Sequence, residues 1–373
     1  MSWRYLAYKL NGDGTETLLS NDVPLQGAVL REDLSGPGGI DGSISPEVAR
    51  FKTTGGDPVF LPWSTAIYAE KDGNLRAGAI LADLLEDGPT LSLDTVGFSG
   101  YPKDQPYTGD KSWIQEDPLN IVRHIWSHLQ GKKGGNLGLT VAGTTSSVRI
   151  GAKEEDVSFT TGNGEEVSFS AGPYTLQWWK DHDLSKVLDD LALETPFDYL
   201  VDHDWNGDAI RHTLRLGYPE IGSRRHDLRF MLGENVFDEL PIRYEGDAYA
   251  SEVIALGAGE GRKMVRGGDA RVTGRLHRAT VVVDKTLRNK KSADSVARLE
   301  LAGRIGDEDL DTLIVREHPH AALGTFRPGD EILVQSPGGL TKDVYLWVRI
   351  LSVATEAEKN QATLTVARTD RMG

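Results

Sequence analysis

Residues 3–20, WRYLAYKLNGDGTETLLS, decide the fold class. Trp3 to Leu10 is apolar and aromatic, a composition that suits a pleated, half-buried strand. Asn11-Gly12-Asp13-Gly14 follows, and Asn-Gly and Asp-Gly pairs reach positive φ at little cost, so the chain reverses there. Thr15 to Leu19 returns as the second arm of a hairpin. The same grammar continues outward through residue 100. Strands are expected at Gln26 to Arg31, Thr65 to Glu70, Ala77 to Leu85 and Thr90 to Phe98. The breaks are Gly36-Pro37-Gly38-Gly39, Gly55-Gly56-Asp57-Pro58, Asp72-Gly73 and Gly88-Pro89. Gly97 to Gly109 reads as a loop or boundary. The first hundred residues therefore spell an antiparallel β unit.

Helices enter later. In DPLNIVRHIWSHLQG, Asp117 is an N-cap and Pro118 occupies the first turn, where its missing N–H costs nothing. Val122, Ile125, Trp126 and Leu129 make one apolar stripe, and Gly131 ends the helix. Residues 132 to 170 are rich in Gly, Ser and Thr, with short strands expected at Leu137 to Ala142 and Val167 to Ser170. Asp183 opens a second helix, closed by Pro196. Phe197 to Val201 and Ile210 to Leu216 flank a turn spanning Asp202 to Asp208. Tyr249 to Leu256 and Leu276 to Val283 read as strands, and Ser292 as the cap of a third helix. Thr312 to Arg316, Glu331 to Gln335, Val344 to Val353 and Ala362 to Ala367 return to β. The order is that of an α+β chain, mainly antiparallel β, without regular strand–helix alternation.

Composition narrows the function classes. The chain has 373 residues, 39% hydrophobic and 26% charged, which excludes collagen, a coiled coil and a mostly disordered protein. No cysteine is present, so disulfides, thiolate metal sites and cysteine nucleophiles are excluded. No run approaches 18 apolar residues, so no membrane-spanning helix is expected. The N-terminus lacks the basic-then-apolar order of a signal peptide.

Each motif that resembles an active site fails at a position its chemistry requires. His124 and His128 sit four apart on one helix face, but Ile125 stands where a zinc protease needs its general-base Glu. Gly257-Ala258-Gly259-Glu260-Gly261 follows a strand, yet no helix signal follows to hold a phosphate. Asp202, Asp204 and Asn206 match the first half of a calcium loop, but Thr213 occupies the twelfth position. They are weak metal candidates, and a metal-free turn is the expectation. Asp181, His182 and Asp183 also look like ligands, though capping already explains Asp183. Gly97-Phe98-Ser99-Gly100 misses the serine-hydrolase elbow. No catalytic residue, cofactor or resident metal is expected.

Charge is unevenly placed. The net charge is −15, and a chain so acidic should not bind nucleic acid over its whole surface. Yet Gly261 to Lys291 holds ten basic side chains against Asp269 and Asp284, a local +8, whereas residues 1 to 120 carry −9. A nucleic-acid site, a solvated loop and half of a matched subunit contact stay open as readings. The island lacks aromatic residues to stack bases. Arg271, Arg275 and Arg278 are its candidates for a subunit interface.

Three stretches carry a resemblance: DPLNIVRHIWSHLQGKKGGNLGLTV, LETPFDYLVDHDWNGDAIRHTLRLGYPEIGSRRHDLRFMLGEN and LWVRILSVATEAEKNQATLTVARTD. They span about 117 to 141, 193 to 235 and 346 to 370 and are similar to minor tail proteins of actinobacteriophages. Such proteins resemble the baseplate hub of long-tailed phages. The resemblance implies a homotrimer at the tail tip of the virion, assembled in the host cytoplasm. It implies two tube-like β-barrel domains, 1–116 and 241–373, around an α+β portion at 117–240, with borders approximate and interruptible. The implied role is to join a sixfold tube to a threefold tip, pass DNA and carry other tip proteins. Implied partners are the distal tail protein or tail tube, the tape measure protein and spike or fibre proteins. Any piercing or receptor-binding element is expected on another chain. The alternative is a carbohydrate-binding tail protein using Trp178-Trp179.

Overall fold

The computed structural model describes residues 3–369 apart from 54, 57, 154, 161–165, 238–242, 245, 247–248, 286, 288, 306–307 and 338–342. Strands β1 (Trp3–Leu10), β2 (Glu16–Ser20), β3 (Gln26–Asp33) and β4 (Gly39–Ile44) precede a short helix α1 (Pro46–Ala49). Then follow β5 (Thr65–Lys71), β6 (Asn74–Asp87) and β7 (Thr90–Gly97). They assemble in the order β3-β4-β7-β6-β5-β1-β2, antiparallel throughout. No strand is expected at β4 from sequence, where the break Gly36-Pro37-Gly38-Gly39 ends on the first residue of the strand. Its Gly42 lies so close to Leu25 that an added Cβ would stand 2.7 Å from Leu25 Cδ1. Glycine there marks a close approach inside a strand.

Every residue of β5 is buried, so the sheet is covered on both faces. Ile67 and Ala69 face a core with Leu25, Ile40 and Leu93. Ala66 and Tyr68 face the opposite way, into a core built with the two helices that come next. The period-2 pleat sends alternate residues into two different cores.

The middle portion comprises β8 (Asp110–Trp113), α2 (Pro118–Gln130), β9 (Leu139–Val141), β10 (Glu155–Thr160), β11 (Glu166–Ala171) and β12 (Tyr174–Gln177). Helix α3 (Leu184–Glu194) and the hairpin β13 (Asp198–Asn206)–β14 (Ala209–Gly217) complete it. Asp117 caps α2 by accepting the Leu119 N–H at 2.9 Å and also accepts the N–H and hydroxyl of Ser146. Leu119, Ile125, Trp126 and Leu129 are fully buried against the sheet. Asp183 caps α3 as expected, through Ser185 N–H at 3.0 Å. The hairpin turn is shorter than expected: only Gly207 and Asp208 lie between the strands, with Gly207 at φ 65°. Residues 202 to 206 continue β13.

The C-terminal portion holds β15 (Phe230–Met231), β16 (Val236–Phe237), β17 (Arg243–Tyr244), β18 (Glu252–Leu256), β19 (Arg266–Ala270) and β20 (Ala279–Val283). Helix α4 (Lys290–Ile305) is followed by β21 (Glu308–Asp309), β22 (Thr312–Arg316), β23 (Glu331–Ser336), β24 (Val344–Glu356) and β25 (Gln361–Arg368). The cap of α4 is Asn289, not Ser292: its Oδ1 accepts the Ser292 N–H at 3.0 Å from one turn upstream. The glycine-rich run at 257–261 leads through a single 3-10 turn (Gly261–Lys263) into β19 rather than into an α-helix, and an added Cβ at Gly257 would lie 2.4 Å from the Leu287 carbonyl oxygen.

The long strand β24 joins the two ends of the chain. Val344 to Arg349 ladder with β23, and Ser352 to Glu356 ladder with Val29 to Asp33 of β3. A 13-stranded sheet results, running from β16 through β24 and β3 to β2, and its ladder is open. The chain is mainly antiparallel β with a minor helical share.

Candidate functional site

Strand β13, strand β3 in the middle of the large sheet and the loop before β23 meet around a cleft of about 270 Å³. Arg31, Glu32, Lys71, Arg76, His203 and Arg327 are among its lining residues. Arg327 reaches across: its Nη2 is 2.5 Å from Glu32 Oε1 and its Nη1 is 2.6 Å from Asp202 Oδ1. Arg215 Nε closes on the other Asp202 oxygen at 2.6 Å. Burial pushes Glu32 up from the usual carboxylate range, against the pull of Arg327. Burial also opposes the charge on Arg327, but Glu32 and Asp202 outweigh it and hold the guanidinium protonated.

This geometry places the weak metal candidates. Asp202 is held between two arginines, Asp204 faces Arg211 at 3.4 Å on the exposed side, and Asn206 pairs with Ala209 beside the turn. They lie in one strand rather than around a loop. Asp204→Asn is accordingly expected to change stability by less than ~0.5 kcal/mol. Millimolar calcium is expected to leave the melting temperature of both forms unchanged, which differential scanning calorimetry checks.

Beside the cleft, four polar side chains form a chain through the sheet. Tyr68 donates to Glu16 Oε1 at 2.5 Å, His212 Nε2 lies 3.2 Å from the same oxygen, and His212 Nδ1 meets His203 Nδ1 at 2.8 Å. His203 in turn hydrogen-bonds the Gly78 backbone. These contacts are satisfied by one proton between the two Nδ1 atoms and one between His212 and Glu16. Burial, then the neighbouring His212 and Arg327, push His203 well below the usual histidine range. Its folded value lies below its unfolded one, so the unfolded chain takes up the extra proton first. Stability is therefore expected to fall as pH drops below about 6.5, with a slope of at most about 1.4 kcal/mol per pH unit. His203 edges the cleft, and water there lowers that slope. Urea titrations between pH 7 and 5 on wild type and His203→Gln check it, and the variant should show the shallower dependence.

The other candidates are also in use as structure. His124 Nε2 meets Tyr107 Oη at 2.9 Å, and His128 Nε2 accepts the Thr108 N–H at 3.2 Å, so both pin the 101–109 segment to α2. Burial lowers both imidazoles. Ser99 donates to the Gly36 carbonyl at 2.8 Å. Asp181 accepts the Gln177 N–H at 2.6 Å and so serves the turn after β12. Arg271, Arg275 and Arg278 all lie in the exposed loop between β19 and β20, with Arg275 over the Tyr249 ring at 4.9 Å. Arg288, also of the basic island, lies outside the described residues.

Two features escaped the sequence. Arg349 on β24 is buried and pairs with Asp198 of β13, donates to the Ile221 carbonyl at 2.9 Å and lies 3.5 Å from Glu220. Glu234, His318 and His320 converge at the edge near β16. The spacing His-Pro-His was the available signal for the second; nothing local announces the first.

A 43 kDa tail protein of prophage MuSo2 from Shewanella oneidensis superposes with TM-score 0.58 at 13% identity, covering 100% of both chains. The chain has the fold of phage tail proteins. A tail protein from Neisseria meningitidis MC58 gives TM-score 0.53 at 13% identity, over 99% of this chain and 97% of that one. Prophage tail protein gp18 from Listeria monocytogenes EGD-e gives 0.54 at 10% identity, over 99% and 95%. No family description and no curated protein sequence matches the chain. Among the described residues, no helix is long and apolar enough to cross a membrane.

Proposed function

We propose that this chain is a structural protein of a phage tail, the trimeric hub at its distal end, related to minor tail proteins of actinobacteriophages. The observation that carries the reading is the end-to-end likeness in fold to three phage tail proteins. The β-rich stretches 1–116 and 241–373 serve as tube-like units, with 117–240 between them. Three chains then offer six such units, which lets a threefold tip meet a sixfold tube. A lumen lined by an acidic protein repels the DNA backbone and lets it pass. The distal tail protein or tube, the tape measure protein and spike or fibre proteins are its neighbours in this reading, and it catalyses no reaction.

The exposed loop after β19 supports a subunit contact. Val272 and Leu276 are almost wholly exposed among Arg271, Arg275 and Arg278, a mix of apolar and charged residues that a neighbouring acidic surface would cover. In a ring, each subunit offers one patch to the next subunit's other patch. The purified chain is expected to show three times its 40.8 kDa mass by native mass spectrometry. Reversing the charge at Arg271, Arg275 and Arg278 together should weaken that assembly, as should high salt. A monomer at every salt concentration tested contradicts the trimer; a trimer indifferent to both changes contradicts its electrostatic basis. Trp178 and Trp179 are exposed but meet edge to face at 86°, so they form no flat two-ring platform for a sugar.

A further inference from the structure

We propose that Glu234, His318 and His320 bind a zinc-like divalent cation. Glu234 Oε1 is 2.9 Å from His320 Nδ1 and 3.9 Å from His318 Nε2, and all three ligand atoms lie within 4.8 Å of one another. Tetrahedral zinc holds nitrogen and oxygen donors at about 2.0–2.2 Å, which puts neighbouring donors roughly 3.3 Å apart. The Glu234 distances of 2.9 and 3.9 Å to the two imidazoles bracket that value.

The backbone holds the ligands together before any ion arrives. Glu234 sits in the turn between β15 and β16, and the histidines sit in the turn after β22. Arg229 N–H donates to the His320 carbonyl at 3.2 Å, and Arg316 N–H donates to the Asn235 carbonyl at 2.9 Å. Buried Asn235 locks the first turn, accepting Met231 N–H at 3.0 Å and donating to the Arg229 carbonyl at 2.7 Å. The two turns are thus tied at both ends.

The donor set selects the metal. Two imidazoles and one carboxylate suit zinc, cobalt or nickel and not calcium or magnesium, which take oxygen cages. Arg229 Nε lies 3.6 Å from the other Glu234 oxygen, which orients the carboxylate and leaves Oε1 for the ion. One feature limits affinity. His318 Nδ1 accepts the His320 N–H at 3.2 Å, and coordination through Nε2 moves the proton to Nδ1 and breaks that contact. Binding is therefore expected to be weaker than at a closed structural zinc site. Three ligands leave a fourth position for water or for a donor from a neighbouring protein.

The test is calorimetric titration of zinc chloride into chelator-treated protein carrying no histidine tag. One equivalent should bind, and cobalt should give the visible bands of a nitrogen–oxygen site of low coordination number. Glu234→Gln, His318→Gln and His320→Gln should each weaken zinc at least about tenfold. His226→Gln should not, because His226 packs on Trp347 outside the cluster. Circular dichroism of each metal-free variant establishes that it is folded, and His320, the most exposed of the three, is the variant least able to disturb folding. Absence of stoichiometric zinc binding, or binding that survives in a folded His320→Gln protein, overturns the proposal.

Discussion

Replacing Arg349 by Met is expected to destabilise the protein by about 3–5 kcal/mol. The side chain is only 7% exposed and Asp198 only 14%. The guanidinium donates to Asp198, to the Gly329 carbonyl at 3.2 Å and to the Ile221 carbonyl at 2.9 Å. Methionine fills much of the same volume, so the loss is chiefly electrostatic. It leaves the largely buried Asp198 with the Ile221 N–H at 2.8 Å as its remaining donor among the described residues. Adding Asp198→Asn removes the stranded charge and should recover a substantial part of the loss, since removing one partner of a buried pair costs more than removing both. Chemical denaturation of the two single variants and the double variant measures this. A double variant whose loss equals the sum of the two single losses would show that Arg349 acts by packing alone. The pair fastens β24 to β13, so the single variant should also loosen the cleft that both border.

His212→Leu is expected to cost about 3 kcal/mol. The imidazole is 1% exposed and stands between Glu16 and His203. Without it, among the described residues the Glu16 carboxylate keeps only the Tyr68 hydroxyl, and Glu16 Oε2 is already without a hydrogen-bond partner there. Leucine keeps the apolar contact with Phe98, which His212 approaches at 4.7 Å between ring centres. Pairing His212→Leu with Glu16→Gln should therefore be milder than the sum of the two single changes. Thermal unfolding of the four proteins in this cycle gives the coupling, and strict additivity would mean that the two groups do not interact.

Local signals carried the hairpins and two of the helix caps, because turn residues and N-caps act over four or five positions. Asn11 to Gly14, Asp117-Pro118 and Asp183 are of this kind, and β1 spans Trp3–Leu10 as its composition requires. Two of the strands not expected from sequence share one cause. β4 and β19 contain glycines where a strand presses against another element: Gly42 on Leu25, and Gly267 on α4, where an added Cβ would lie 2.4 Å from the Asp294 nitrogen. Glycine that serves close packing looks in sequence like glycine that serves a turn. The site was less legible still. Glu32, Asp202 and Arg327 lie far apart in the chain, as do Asp198 and Arg349, and only the pairing of β24 with β3 brings such groups together. Asp202 and Asp204 read as a crowded turn because the sequence does not show that arginines face both.

As a hub, this chain forms the threefold end of a tail. Cryo-electron microscopy of the assembled particle, averaged about the tail axis, tests it most directly. Three copies of the fold should encircle that axis at the distal end, with the loop at 271–278 against the neighbouring copy. Finding the chain absent from the particle, or present only off the axis in peripheral fibres, would contradict the account.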